Sequence, residues 1–156
     1  MSTVETFSVT VEQESDYVFR IRFDDTSAAD LLTDEPPPLG AGSGPNPSRL
    51  LVAAVANCMS ASLLFALRKF KNQPGALTTR ATAYTGRNDD GRMRVLRIEA
   101  DIRLPDPVEH YQQLDRILAQ FEQFCVVTES VRSGVPVTVT VSDRNGQRLH
   151  GPAANT

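Results

Sequence analysis

Apolar and polar residues alternate twice within the opening positions of the chain. Phe7, Val9 and Val11 share one side of residues 6–11, with Thr6, Ser8 and Thr10 on the other. Tyr17, Phe19, Ile21 and Phe23 then share one side of residues 17–23, opposite Val18, Arg20 and Arg22. A period of two is the mark of a strand with one covered face. The polar stretch from Glu12 to Asp16 reads as the turn of a hairpin. From Asp34 to Pro47 the alternation stops. Pro36, Pro37, Pro38, Gly40, Gly42, Gly44, Pro45 and Pro47 exclude both a helix and a central strand there and predict a loop.

Asn46-Pro47 ends that loop and opens a helix. Asn is a favoured N-cap, and Pro fits the first helical position, where its missing N–H costs nothing. The helix is expected to run to about Lys71, where Asn72-Gln-Pro-Gly75 stops it. Arg68, Lys69 and Lys71 complement the negative end of its dipole. Between Leu50 and Leu67 it carries no charged residue. Such a stretch approaches the shortest membrane spans. Its Asn57, Cys58, Ser60 and Ser62, and its many small residues, argue instead for a helix buried on every side, with a dimer interface as a natural second cover.

Two more alternating runs, Leu77–Thr85 and Met93–Leu104, flank Asn88-Asp-Asp-Gly91 and form a second hairpin. The parity of apolar positions changes between Val95 and Leu96, which predicts a bulge. Pro105-Asp-Pro107 precedes a helical stripe of Val108, Tyr111, Leu114, Ile117, Leu118 and Phe121. A break near Cys125 starts a short helix ending at Gly134. Val135, Val137, Val139 and Val141 make a closing strand, and residues 144–156 read as a polar, frayed tail. The order is ββ, long helix, ββ, helix, short helix, β. Strands in hairpins predict a mostly antiparallel α+β fold, here a single domain over residues 1–143.

Composition narrows the function. With 156 residues, 40% apolar and 22% charged, the chain is long enough for one core and ordinary for a soluble protein. A net charge of −3, scattered arginines and the absence of Trp speak against nucleic acid as a partner. Met1–Phe7 lacks the positive region and apolar stretch of a secretory signal, so a cytoplasmic protein is expected. Lasting disulfides are uncommon in that compartment. His110 and His150 lie on separate polar segments, no Gly-rich phosphate loop opens a helix, and neither a metal nor a cofactor is expected.

The candidate chemistry rests on the only two cysteines, Cys58 in the uncharged helix and Cys125 in Phe121-Glu-Gln-Phe-Cys-Val-Val-Thr. A free Cys is often a small buried hydrophobe. Two thiols on two core segments can instead form a reversible disulfide, which points to redox work. Cys125 at a helix N-terminus would gain thiolate character from the dipole, so either cysteine could be the nucleophile.

Gly44-Pro-Asn-Pro-Ser-Arg-Leu-Leu-Val-Ala-Ala-Val-Ala-Asn-Cys58 resembles the first signature of the OsmC/Ohr family, the osmotically inducible and organic hydroperoxide resistance proteins. Cys125-Val-Val-Thr resembles the second, with Val126 where Pro is frequent, and the element order agrees over nearly the whole chain. The resemblance implies an intertwined homodimer with sheets wrapped around long central helices. It also implies a thiol peroxidase acting on organic hydroperoxides, with Cys58 peroxidatic, Cys125 resolving and a dithiol as reductant. In such peroxidases an Arg of the N-terminal hairpin, held by a Glu after the Asn-Pro, supports the thiolate. This chain has Ser48 and Arg49 after Pro47, so Arg20 and Arg22 are the candidates for that role. The missing Glu keeps an alternative open: a binder of an apolar small molecule, or a slow redox sensor, on the same fold.

Overall fold

The computed structural model describes residues 3–153, which fall into two compact units that meet at Leu50 and Leu51. The first unit holds a three-stranded antiparallel sheet in the order β1-β2-β3, with β1 Val9–Ser15, β2 Val18–Phe23 and β3 Leu31–Thr33. The hairpin is tighter than its polarity suggests, because Glu12–Ser15 continue the strand rather than forming the turn. Charge pairing explains this. Glu12 lies opposite Arg20 in register and its carboxylate reaches Arg22, while Glu14 meets Arg20. Opposite charges facing one another across a ladder favour the extended form. Asp16, with φ 45°, then makes the reversal.

The Pro/Gly loop is ordered around one carboxylate. Asp34, 2% exposed, accepts hydrogen bonds from the backbone N–H groups of Glu35 (2.8 Å), Ala41 (3.1 Å) and Ser43 (3.0 Å) and from the Ser43 hydroxyl (2.8 Å). Gly40 is needed because a Cβ there would collide with the Glu35 carbonyl and an Asp34 oxygen. The bonds from Ser43, and then those from Ala41 and Glu35, hold the Asp34 carboxyl below its ordinary value. A depressed folded-state value means stability that is present at neutral pH and lost as pH falls below the unfolded carboxyl value of about 4. Asp34→Asn is therefore expected to lower the urea midpoint at pH 7, with the gap to wild type closing below about pH 4. A gap of constant size across that range would show that the charge is not what orders the loop.

Helix α1, Pro47–Lys69, begins where the loop ends. The Asn46 side chain accepts the Arg49 backbone N–H at 3.0 Å, the cap that the sequence predicts. Within the second unit Met59, Leu63 and Leu67, spaced four apart, put one stripe of α1 into the core. By length and composition alone α1 is long and apolar enough to cross a membrane. Its buried stripe is that of a core helix. In the single chain Ala53, Ala54, Asn57, Ala61 and Phe65 are exposed, on the part of the helix for which the sequence calls for a second cover.

The second unit's sheet has the order β4-β5-β6-β7, with β4 Thr78–Arg87, β5 Met93–Arg103, β6 Val137–Ser142 and β7 Arg148–His150. β4 and β5 are antiparallel, and their register slips so that Tyr84 faces Arg97 and Thr85 faces Val95, leaving Leu96 unpaired. This is the bulge read from the change of parity. β5 and β6 run parallel, so the chain between them leaves the sheet and returns. Inward residues Ile102, Val139 and Val141 meet the α1 stripe together with Leu114, Ile117, Leu118 and Phe121.

Two expectations need correction. The helix expected across residues 108–121 is broken into a 3₁₀ turn at Val108–His110, a five-residue α2 at Leu114–Leu118 and a second 3₁₀ turn at Phe121–Phe124. The cause lies forty positions earlier. The buried Asn72 amide accepts the Gln112 backbone N–H at 2.7 Å and donates to the Gln112 carbonyl at 3.0 Å, acting as a neighbouring peptide would. Gln112 is thereby withdrawn from helical bonding, Tyr111 is extended, and Gln113 takes a left-handed conformation with φ 57°. Residues after Arg144 are not wholly a frayed tail, because β7 pairs with β6 and Leu149 packs on the core. Buried Asp143 builds the turn between them by accepting the Asn145 and Gln147 backbone N–H groups at 2.9 and 2.8 Å.

Candidate functional site

Both cysteines are free thiols and both belong to the second unit. Cys58 stands near the middle of α1, half-buried, beside the core stripe that Met59 opens. Cys125 is 1% exposed and forms part of the core cluster against which Cys58 packs. It sits between the 3₁₀ turn Phe121–Phe124 and helix α3, Val126–Arg132, held by its own N–H to the Glu122 carbonyl (3.1 Å) and by its carbonyl to the Glu129 N–H (2.9 Å).

Side chains fix the sulfur as well. The Cys125 thiol donates to the hydroxyl of Thr128 at 3.1 Å, and Thr128 is fully buried. Burial pushes the Cys125 thiol above its ordinary value. The nearby Cys58 sulfur adds to this, while Thr128, whose hydroxyl can turn to donate to a thiolate, pulls the other way. The helix-terminal position that seemed to favour a Cys125 thiolate is present, but desolvation outweighs it. Burial thus favours the protonated form of Cys125.

The relative placement of the two cysteines depends on Ser62, one helical turn beyond Cys58. Its hydroxyl donates to the Phe121 carbonyl at 2.6 Å, tying α1 to the start of the segment that carries Cys125. Next to this tie, Phe65, Phe70, Phe121 and Phe124 line an apolar groove, with Phe65 and Phe124 each 68% exposed. Ser62 and Thr128 were not legible as site residues. The one signal for Thr128 was its position three residues after a cysteine that starts a helix.

Arg20 and Arg22 belong to the first unit, and both are engaged there. Arg20 Nε lies 2.5 Å from Glu14 and its Nη1 3.4 Å from Asp30, while Arg22 meets Glu12 with both terminal nitrogens, at 2.8 and 2.6 Å. The Arg22 guanidinium draws the Glu12 carboxyl below the usual range. Thus the structure brings Cys58 and Cys125 together and pairs each candidate arginine with carboxylates of its own unit. Among the described residues no three His, Cys, Asp or Glu side chains gather as a metal site.

The architecture is that of an α+β protein whose long core helix presents one thiol to another carried on a sheet crossover. Residues 40–140 match the family model described as OsmC-like protein, and the chain belongs to that family. Solved structures agree in fold. An OsmC-like protein of unknown function from Vibrio cholerae superposes with a TM-score of 0.73 at 19% identity, covering 90% of this chain and 99% of that one. An organic hydroperoxide resistance protein from Elizabethkingia anophelis gives 0.71 at 21% identity, covering 92% and 99%. The organic hydroperoxide resistance protein OsmC from Legionella pneumophila gives 0.70 at 15% identity, covering 90% and 99%. No curated protein matches the sequence.

Proposed function

We propose that the protein is a thiol-dependent peroxidase for organic hydroperoxides, working as a cytoplasmic homodimer with a dithiol as its reductant. The observation that carries this reading is the packing of a half-buried Cys58 against the core cluster that holds the buried thiol of Cys125. Membership of the OsmC-like family, and relatives named for organic hydroperoxide resistance, support the choice of substrate.

The steps are those of thiol chemistry. The Cys58 thiolate attacks the terminal oxygen of the hydroperoxide, the O–O bond breaks, and the alkoxide leaves and takes a proton to become the alcohol. Cys58 is now a sulfenic acid. The Cys125 sulfur attacks it. The S–O bond breaks, and the hydroxyl leaves as water with the Cys125 proton while the disulfide forms. A dithiol reduces that disulfide by two exchange steps and becomes oxidised itself. An apolar groove favours alkyl over hydrogen peroxide by burying the tail, at about 25 cal/mol per Å² of apolar surface. Exposed Phe65, Phe124 and Val126 in the second unit, and exposed Phe7, Val9 and Val11 in the first, give a second copy apolar surface to cover.

One observation favours a second reading. The carboxylate partners of Arg20 and Arg22 leave neither guanidinium unpaired to support a thiolate. In that case the fold binds an apolar small molecule and the dithiol acts as a slow sensor. Cumene hydroperoxide consumption with dithiothreitol separates the two. Turnover well above the uncatalysed rate is expected, and a rate equal to it would replace the enzyme by the binder.

A further inference from the structure

The turn that carries Cys125 is braced by a carboxylate that the peroxide chemistry does not use. Glu122, three residues before Cys125, is one-quarter exposed. One of its oxygens lies 2.9 Å from His150 Nε2 on β7, and the other accepts from Arg132 Nη2 of α3 at 3.1 Å. The same guanidinium donates through Nη1 to Glu129 at 2.6 Å. Glu122 also accepts the Cys125 N–H through its own carbonyl. The His150 ring stands edge-on to buried Phe121, with centroids 5.3 Å apart. Three elements, the 3₁₀ turn, α3 and β7, thus meet on one side chain next to the buried thiol. The Ser62 hydroxyl ties the same turn to the helix of Cys58.

We propose that Glu122 is a positioning residue that sets the distance and orientation of Cys125 toward Cys58, with Arg132 and His150 as its anchors. This rests on the reading of the two cysteines as a redox pair, but not on the identity of the oxidant. Two sulfurs form a bond only within a narrow geometry, so looseness in one segment lowers the effective concentration of its thiol. Arg132 holds Glu122 and Glu129 on either side of Cys125, so losing the Glu122 carboxylate removes the charged ties of the turn to both α3 and β7 and leaves only the Cys125–Glu129 backbone bond and the Phe121–His150 contact.

The test measures the equilibrium between the Cys58–Cys125 disulfide and dithiothreitol, starting from oxidised dithiothreitol, which takes up two protons and two electrons from the thiols without any peroxide. Glu122→Ala is expected to lower the effective concentration of the pair about tenfold. It should also prolong the Cys58 sulfenic acid, trapped with dimedone after one equivalent of cumene hydroperoxide, by a similar factor. The second-order rate of Cys58 oxidation should move less than twofold. His150→Gln should reproduce part of the effect, and Glu122→Asp guards against loss of the fold, checked by circular dichroism. An unchanged disulfide equilibrium in folded Glu122→Ala or Glu122→Asp overturns the proposal. A normal equilibrium shift with no reaction of wild type toward peroxide leaves the positioning role standing and removes the peroxidase reading instead.

Discussion

Cys58→Ser is expected to reduce organic hydroperoxide consumption with a dithiol to the uncatalysed rate, whereas Cys125→Ser should retain the first turnover and lose the rest. The difference follows from how each sulfur is housed. Cys58 is the half-buried member of the pair and the one a peroxide can reach; Cys125 is sealed in the core with its thiol raised by burial. Removing the first takes away the nucleophile. Removing the second leaves the sulfenic acid without a partner inside the protein, so it waits for an external thiol while excess peroxide carries it to sulfinic acid, which a dithiol does not reverse. Mass spectrometry should therefore find two added oxygens on Cys58 in Cys125→Ser and a disulfide in wild type. If Cys58→Ser turns over as wild type, or if Cys125→Ser cycles without over-oxidation, the assignment of roles is wrong.

The second large effect concerns Phe121. It is fully buried, lies in the core cluster with Met59, Leu63 and Cys125, supports the His150 ring, and receives the Ser62 hydroxyl on its carbonyl. Phe121→Ala removes a large side chain from a packed interior, and a cavity of that kind costs about 3–5 kcal/mol. For a domain of this size such a loss is a large share of the total stability. Chemical denaturation should show the midpoint falling with little change in slope. A cost below about 1 kcal/mol would mean that the crossover segment collapses onto the gap, and that Phe121 is not a keystone of this core.

The elements with local causes were legible in the sequence. Alternation gave both hairpins, a change of parity gave the bulge at Leu96, and Asn46-Pro47 gave the start of α1. Cys58 and Cys125 stood out as candidates because both local signatures sit in the right order; what the structure adds is that Cys58 packs against the core cluster holding Cys125. What was hidden had distant causes. Asn72 breaks a helix around Gln112 by imitating a peptide group, and no window around residues 108–121 contains that information. Glu12 and Glu14 look like turn residues until Arg20 and Arg22 are seen across the ladder. Strand β7 is three residues long, and its turn is formed by the buried carboxylate of Asp143. His150, on a segment that seemed polar and loose, meets Glu122 only after that strand has paired.

The side-by-side, same-direction pairing of β5 and β6 has a consequence for anyone who would alter this protein. Neighbours that point the same way cannot be joined by a tight reversal, so the stretch from Leu104 to Pro136 is a span the sheet itself demands. That span also supplies Leu114, Ile117, Leu118 and Phe121 to the core, so a deletion reaching them would cost the packing beneath the sheet. Cys125 thus travels with core residues that resist alteration, while the exposed turn at Asn88–Gly91 is the natural place for insertions.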